Sequence, residues 1–458
     1  MKQTSPVSFS RVKPDQSLKT QLARVWRLSL PAILTQITTI AMEYIDSAMV
    51  GRLGANASAA IGLISTSTWF MHGVGSAVAA GFSVQVAQYI GAKEPQNARR
   101  VMKHGFLVCI AASLLLMLAG IAVHTVLPRW LGGEAALRAD ASAYFLVFSL
   151  TLPFLELNRL AAGFLQSAGN MKIPSLLNSL MCVLDVFFNM IFIPRYGVLG
   201  AAVGTGLAAV VICLIEVWYC CLHYEPLRLN RKESCPFDPS ILQRAAKIGI
   251  PVGAESMAFS GASVISTTII APLGAVSIAA HSFAITAESL CYMPCYGIGS
   301  AAATLTGQSI GARDWPLARR YGYISVAFGC AMMALTGTAM YLGCPLVFRL
   351  LTPVEEVRQL AARVLRIGLL AEPLYGVSIV SSGALRGAED TLVPGLLNLF
   401  SLWAVRLGLA FLLVPRFGLP GMWTAMAAEL CVRGILLFIR QLRSKYLHPE
   451  TEDLPADP

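Results

Sequence analysis

Apolar runs that approach the length of a membrane crossing recur from one end of this chain to the other. LSLPAILTQITTIAM begins at Leu28, FLVCIAASLLLMLAGIAV at Phe106, LNSLMCVLDVFFNMIFI at Leu177 and GAAVGTGLAAVVICLIEVW at Gly200. With its flanks, each nears the roughly 20 residues that a helix needs to cross hydrocarbon. Twelve such segments are centred near residues 40, 70, 116, 151, 184, 211, 260, 290, 332, 375, 404 and 430. Only 13% of the 458 residues are charged and 56% are hydrophobic, whereas soluble domains carry about 25% charged residues. A water-soluble fold cannot hide that surface. The chain is expected to be an all-α integral membrane protein with twelve transmembrane helices.

The net charge of +10 would suggest nucleic acid in a soluble protein, but its distribution argues otherwise. With twelve spans and the amino terminus inside, the expected cytoplasmic segments hold 23 of the 35 Lys and Arg, which is the positive-inside pattern. The basic clusters are read as topology signals, with no nucleic-acid partner and both termini cytoplasmic. A polar tail precedes a first apolar segment of full spanning length, so no cleavable signal peptide is expected. Of the eleven cysteines, ten sit in or beside apolar runs and Cys235 falls in a loop. None makes a CxxC or a Cys/His zinc spacing, so they are read as small buried residues rather than disulfides or metal ligands.

The chain also repeats itself. Gln88 to Arg100 reads QYIGAKEPQNARR and Gln308 to Arg320 reads QSIGARDWPLARR, with seven of thirteen positions identical at an offset of 220. Average usage would give about one. In the same register Pro31 meets Pro251, Pro153 meets Pro373, Gly163 meets Gly383, Pro174 meets Pro394 and Asn178 meets Asn398; after a one-residue slip Pro194-Arg195-Tyr196-Gly197 meets Pro415-Arg416-Phe417-Gly418. Six spans separate the copies, so both halves enter the membrane in one direction. That predicts two six-helix bundles related by a pseudo-two-fold axis along the membrane normal, with a cavity between them. The expected division is a tail over 1–27, a first lobe over 28–222, a linker over 223–246, a second lobe over 247–440 and a tail over 441–458. The repeated phrase is read as the cytoplasmic turn after the second span of each lobe.

A charged residue at the centre of a membrane helix costs about 2.5 to 3.5 kcal/mol on insertion scales, so each one requires a reason. Glu156 with Arg159 and Glu429 with Arg433 stand at i,i+3 and i,i+4 and can neutralise each other on one helix face. Glu216 and Glu372 are expected near the interfaces. Asp46, Asp185 and Glu255 lack such a local partner. Asn189 stands one turn beyond Asp185, and Thr205 in the next span can face them, giving oxygen-bearing side chains to a proton or cation. The repeat places Ser266 opposite Asp46, Thr35 opposite Glu255, and Val405 or Arg406 opposite Asp185, so each acid occurs once rather than serving both lobes. Burial disfavours the charged form of a carboxyl, and a coupling site on Asp46 and Asp185 follows. The alternative is that these acids only hydrogen-bond neighbouring helices.

IDSAMVGRLG from Ile45, AAHSFAITAESLCYMPCYGIGSAAATLTGQSIGA from Ala279 and SGALRGAEDTLVP from Ser382 resemble the multidrug and toxic compound extrusion (MATE) transporters. The likeness extends over both halves, about Leu28 to Arg440. It implies the two-lobe fold and export of organic, commonly cationic, compounds driven by inward Na⁺ or H⁺. Asp46 matches the family's first-helix aspartate, and Pro31 a proline at which that helix bends in some members. Glu255 matches a seventh-helix glutamate. Asp185 and Asn189 resemble an Asn/Asp pair in reversed order, and Thr205 the threonine that completes that site. Tyr375 stands where one branch has an aspartate, and the AEP at Ala371 to Pro373 resembles the DinF-like branch, which leans on its amino lobe.

The resulting expectation is a secondary active antiporter of the bacterial inner membrane, working as a monomer by alternating access. It exports organic, cationic, amphipathic compounds in exchange for H⁺ in preference to Na⁺, with no cofactor and no resident metal. Glu255 and Tyr375 are candidates for a second-lobe role in coupling or substrate binding. Met42, Met49, Trp69, Phe70, Tyr292, Met293 and Tyr296 are candidates for a substrate cavity, on the strength of their adaptable apolar and aromatic surfaces; helix packing is the competing role for each. A flippase for lipid-linked precursors is the alternative transporter. A membrane enzyme is disfavoured, since six scattered histidines form no HExxH and no Ser/His/Asp grouping.

Overall fold

A computed structural model describes residues 17–230, 233 and 236–447; the expected tails over 1–16 and 448–458, and Cys235, lie outside them. The first half folds as α1 (Leu18–Gly51), α2 (Ala55–Gly91), α3 (Pro95–Val123), α4 (Ala135–Ser167), α5 (Lys172–Tyr196) and α6 (Val198–His223). The second half repeats the series as α7 (Pro239–Ile270), α8 (Ala275–Gly311), α9 (Trp315–Leu351), α10 in two pieces (Glu355–Leu369 and Glu372–Gly387), α11 (Leu392–Phe417) and α12 (Leu419–Arg443). Every expected span centre falls within one of these helices. The offset of 220 reappears in the boundaries: α2 and α8 both have 37 residues and end on the repeated glycines Gly91 and Gly311.

Among the described residues, ten helices are long and apolar enough to cross a membrane, and α10, bent by 55° at its break, makes an eleventh. The remaining long helix, α8, meets the length but not the hydropathy. It packs against α1, α2, α9 and both pieces of α10, so Gly297, Gly299, Thr304, Thr306, Gly307 and Ser309 in its second half are buried against protein. Three expected boundaries are corrected. α1 starts at Leu18, inside the expected tail; α7 starts at Pro239, inside the expected linker; and α12 runs on to Arg443. Hydrocarbon thickness limits only the apolar part of a helix, and polar turns such as those around Lys19 and Arg440 extend it into the headgroup layer.

The lobes interlock symmetrically: α1 packs against α8, and its repeat counterpart α7 against α2. At the end of the bundle where α2 and α8 finish, a Cβ on Gly91 would stand 1.9 Å from the Gln308 carbonyl oxygen, and one on Gly311 would stand 1.9 Å from that of Gln88. Only glycine permits backbones to meet at that range. The same glutamines reach across: Gln308 Nε2 donates to the Ser167 carbonyl at 2.7 Å, and Gln88 Nε2 to that of Gly387, the repeat equivalent of Ser167, at 3.4 Å. The repeated phrase thus joins the lobes, beyond its expected service as a turn.

Candidate functional site

Asp46 lies on the last third of α1, a helix that packs against both α8 and α5. There Asn189 Nδ2 donates to Asp46 Oδ1 at 2.9 Å and to Asp185 Oδ2 at 3.2 Å, so one amide ties both carboxyls together. Asp185 and Asn189 share a face of α5 because they stand one turn apart, and both are 0% exposed. Asp46 is half-buried and gives the trio its route to the surface. The two carboxyls also act directly on one another, and Tyr144 of α4 lies within electrostatic reach of both. Asp185 Oδ1 and Asn189 Oδ1 are buried without a hydrogen-bond partner among the described residues. Buried polar atoms are almost always paired, so this is a place where a proton or a small cation would gain.

Thr205 has no hydrogen bond to the trio among the described residues. Its neighbour Gly204 is what abuts it: a Cβ there would stand 2.1 Å from Asn189 Oδ1. Sequence spacing placed the oxygen ligands on facing helices but not the rotation of α6 that puts glycine, rather than threonine, against the amide. Pro31 sits within α1 among contacts to α8 and α9. Met42 packs on the Leu177, Met181 and Ile212 cluster, and Met49 on the Val50, Ile193 and Val198 cluster, so each contributes to packing of the first lobe. Trp69, Phe70 and Tyr296 are exposed, and Met293 is half-buried. Tyr292 lies between Tyr375, tilted at 54° with ring centres 5.4 Å apart, and Tyr296, edge to face at 6.2 Å.

The second lobe keeps its charges in a different arrangement. Asn398 Nδ2 donates to Glu255 Oε1 at 2.7 Å, as its repeat counterpart Asn178 donates to the Thr35 carbonyl at 3.0 Å. Glu429 binds Arg433 at 3.0 Å on its own helix and Arg406 at 2.7 Å from α11. Arg406 is therefore paired, by a residue 23 positions away that spacing rules do not reach. Arg433 also lies over the Tyr375 ring at 5.1 Å. Glu216 and Glu372, expected near the interfaces, are 2% and 0% exposed; burial by neighbouring helices replaces contact with headgroups. In the first lobe Glu156 joins Arg159 at 3.5 Å and His72 at 3.2 Å, in space vacated by Gly75. Neither lobe assembles three metal-ligating residues among the described ones.

The sequence matches the MatE family twice, over residues 31–191 and 251–412, which is the internal repeat seen from outside. Probable multidrug resistance proteins NorM are similar along nearly the whole chain. The one from Chromobacterium violaceum is 27% identical over 92% of this chain and 94% of its own length, and that from Deinococcus radiodurans is 28% identical over 94% and 97%. Among solved structures, a MATE in complex with MaL6 aligns with a TM-score of 0.90 at 20% identity, covering 94% of this chain and 98% of its own. A MOP superfamily transporter from Pyrococcus furiosus aligns at 0.88, also with 20% identity, over 94% and 97%.

Proposed function

Since the chain belongs to the MatE family, and is a multi-pass membrane transporter of the multidrug efflux type rather than an enzyme, we propose that it exports organic cations in exchange for protons bound at Asp46 and Asp185. The observation that carries this reading is the Asp46–Asn189–Asp185 string with its unpartnered buried oxygens. Protonation of the carboxyls removes negative charge from the first lobe and frees the Asn189 amide. A bound cation then loses its counter-charge and leaves. The lobes alternate by opening the seam at Gly91 and Gly311, and the end at which α1 begins and α12 finishes faces the cytoplasm, as the positive-inside pattern favours. A ligand can shift such an equilibrium only by preferring one state, and the proton does so through the string.

The choice of H⁺ over Na⁺ rests on Thr205. A Na⁺ ion takes several oxygen ligands, and the only threonine offered by α6 at this level makes no hydrogen bond to the trio among the described residues. Efflux of a fluorescent organic cation from inverted vesicles tests the reading. A pH gradient should drive it and a Na⁺ gradient should not, and Asp46→Asn and Asp185→Asn should each abolish the pH-driven part while still reaching the membrane. Undiminished pH-driven export in both variants would exclude the string from coupling.

A further inference from the structure

Near the start of α1, the seam between the lobes holds a groove of about 590 Å³ between α1 and α9. One wall is Leu22, Trp26, Leu30 and Pro31; the other is Ile324 and Phe328 of the second lobe. The Trp26 and Phe328 rings meet edge to face at 5.3 Å and form its back. Trp26 is 54% exposed and Leu30 50%, so this apolar surface is left uncovered by the fold. Two cations, Arg27 on α1 and Lys172 at the start of α5, stand on the rim. Both are exposed, and neither has an acidic or hydrogen-bonding partner among the described residues. Lys172 begins its helix, and so marks the level at which the chain emerges from hydrocarbon, while Phe328 lies more than three turns into α9.

A slot that is cationic at the headgroup level and apolar beneath has the chemistry of one amphiphile orientation: an anionic head outward and acyl chains inward. Trp26, next in the chain to Arg27, fits the interfacial position that indole rings favour. We infer that this groove binds an anionic phospholipid, its phosphate between Arg27 and Lys172 and a chain along Trp26, Leu30 and Phe328. The lipid touches both lobes at once, and its walls exist as a slot only while α1 and α9 are apposed. It therefore binds one arrangement of the lobes better than the other and favours the closed seam. That consequence rests on the alternating reading above; the binding itself does not.

Native mass spectrometry of the purified full chain, titrated with phosphatidylglycerol or phosphatidylcholine, measures the binding without any transport. The wild type should retain phosphatidylglycerol in preference to phosphatidylcholine. Arg27→Gln with Lys172→Gln should weaken phosphatidylglycerol about 30-fold, roughly fivefold for each cation removed near the surface, and leave phosphatidylcholine unchanged. Ala23→Trp, which fills the slot and keeps both cations, should weaken it as well, whereas Arg195→Gln, an exposed cation outside the groove, should not. Inorganic phosphate at millimolar concentration should fail to displace the lipid, because it cannot use the apolar wall. Equal retention of the two lipids by the wild type, an unchanged preference in the double variant or in Ala23→Trp, or displacement by phosphate would each overturn the assignment.

Discussion

The seam glycines offer the most direct test of how the lobes are joined. In Gly91→Ala the new carbon would stand 1.9 Å from the Gln308 carbonyl oxygen. An ordinary contact there is about 3.4 Å, so α2 and α8 have to part by about 1.5 Å. Backbone cannot swing aside as a side chain can, and overpacking of this kind costs about 1 to 3 kcal/mol. Alanine also raises helix propensity by about 1 kcal/mol, but it does so whether the seam is open or closed and cancels in the balance between the two. The closed seam should therefore lose about 5- to 150-fold in population. Gly311→Ala should do the same, and the double variant little more, because a single parting of the helices relieves both contacts. Spin labels on Lys93→Cys and Ala312→Cys in a cysteine-free background, read by pulsed electron resonance, report the separation. If the distance distributions of the three variants coincide with that of the parent, the two glycines do not hold the lobes together and the argument fails.

Other outcomes follow from the same geometry. Glu429→Gln strands Arg406 and Arg433 in a buried site and should cost about 3 to 5 kcal/mol, seen as a large drop in melting temperature in detergent; adding Arg433→Met should recover part of it. In the linker, the Arg99 guanidinium 2.5 Å from Glu233 holds that carboxyl below its ordinary range. A depressed carboxyl stabilises the fold above its unfolded pKa and loses that contribution as pH falls through its folded value. Hydrogen-exchange protection at Glu233 should thus fall as pH drops below the ordinary glutamate range, and Glu233→Gln should show weak protection at neutral pH with little further change on acidification. Gly204→Val should displace the Asn189 amide and impair coupling in the vesicle assay, while Thr205→Val should leave it near wild type.

The architecture was legible because its signals are additive along the chain: length of apolar run, repeat register and basic asymmetry each sum over many residues. The first-lobe site was legible in part, since Asp185 and Asn189 lie one turn apart and any helix puts them on one face. What could not be read was rotation and partner choice between helices. Thr205 and Gly204 are neighbours in sequence, yet only Gly204 meets the amide. Arg406 has no carboxylate at helical spacing on its own helix; Glu429, its partner, comes from the next one. Met42 and Met49 have the chemistry of a ligand pocket and are placed in packing clusters by the azimuth of α1, which no periodicity fixes once a helix is apolar on most sides. The break in α10 at Leu370 and Ala371 carries no glycine, and the Pro373 that follows it has an equivalent in Pro153, which α4 accommodates without a break.

The two lobes also show how a shared residue can acquire an unshared partner. Asn178 donates to the Thr35 carbonyl at 3.0 Å and also to the hydroxyls of Thr38 at 2.7 Å and Thr39 at 3.2 Å. In the repeat register Ala258 and Phe259 stand at the positions equivalent to those threonines, so the second lobe lacks both hydroxyls. Glu255, equivalent to Thr35, supplies the acceptor instead, and Asn398 Oδ1 already goes without a partner among the described residues. Glu255→Ala should then leave the amide unsatisfied at a cost of about 1 to 3 kcal/mol. Ala258→Thr, which restores what the first lobe has, should return most of that stability in a thermal melt. Transport separates the roles of Glu255: if the double variant regains stability and export together, the carboxylate serves only as an acceptor for Asn398. Regained stability with export still lost assigns its charge to coupling or substrate, and no regain of stability at all refutes the equivalence of the two asparagines.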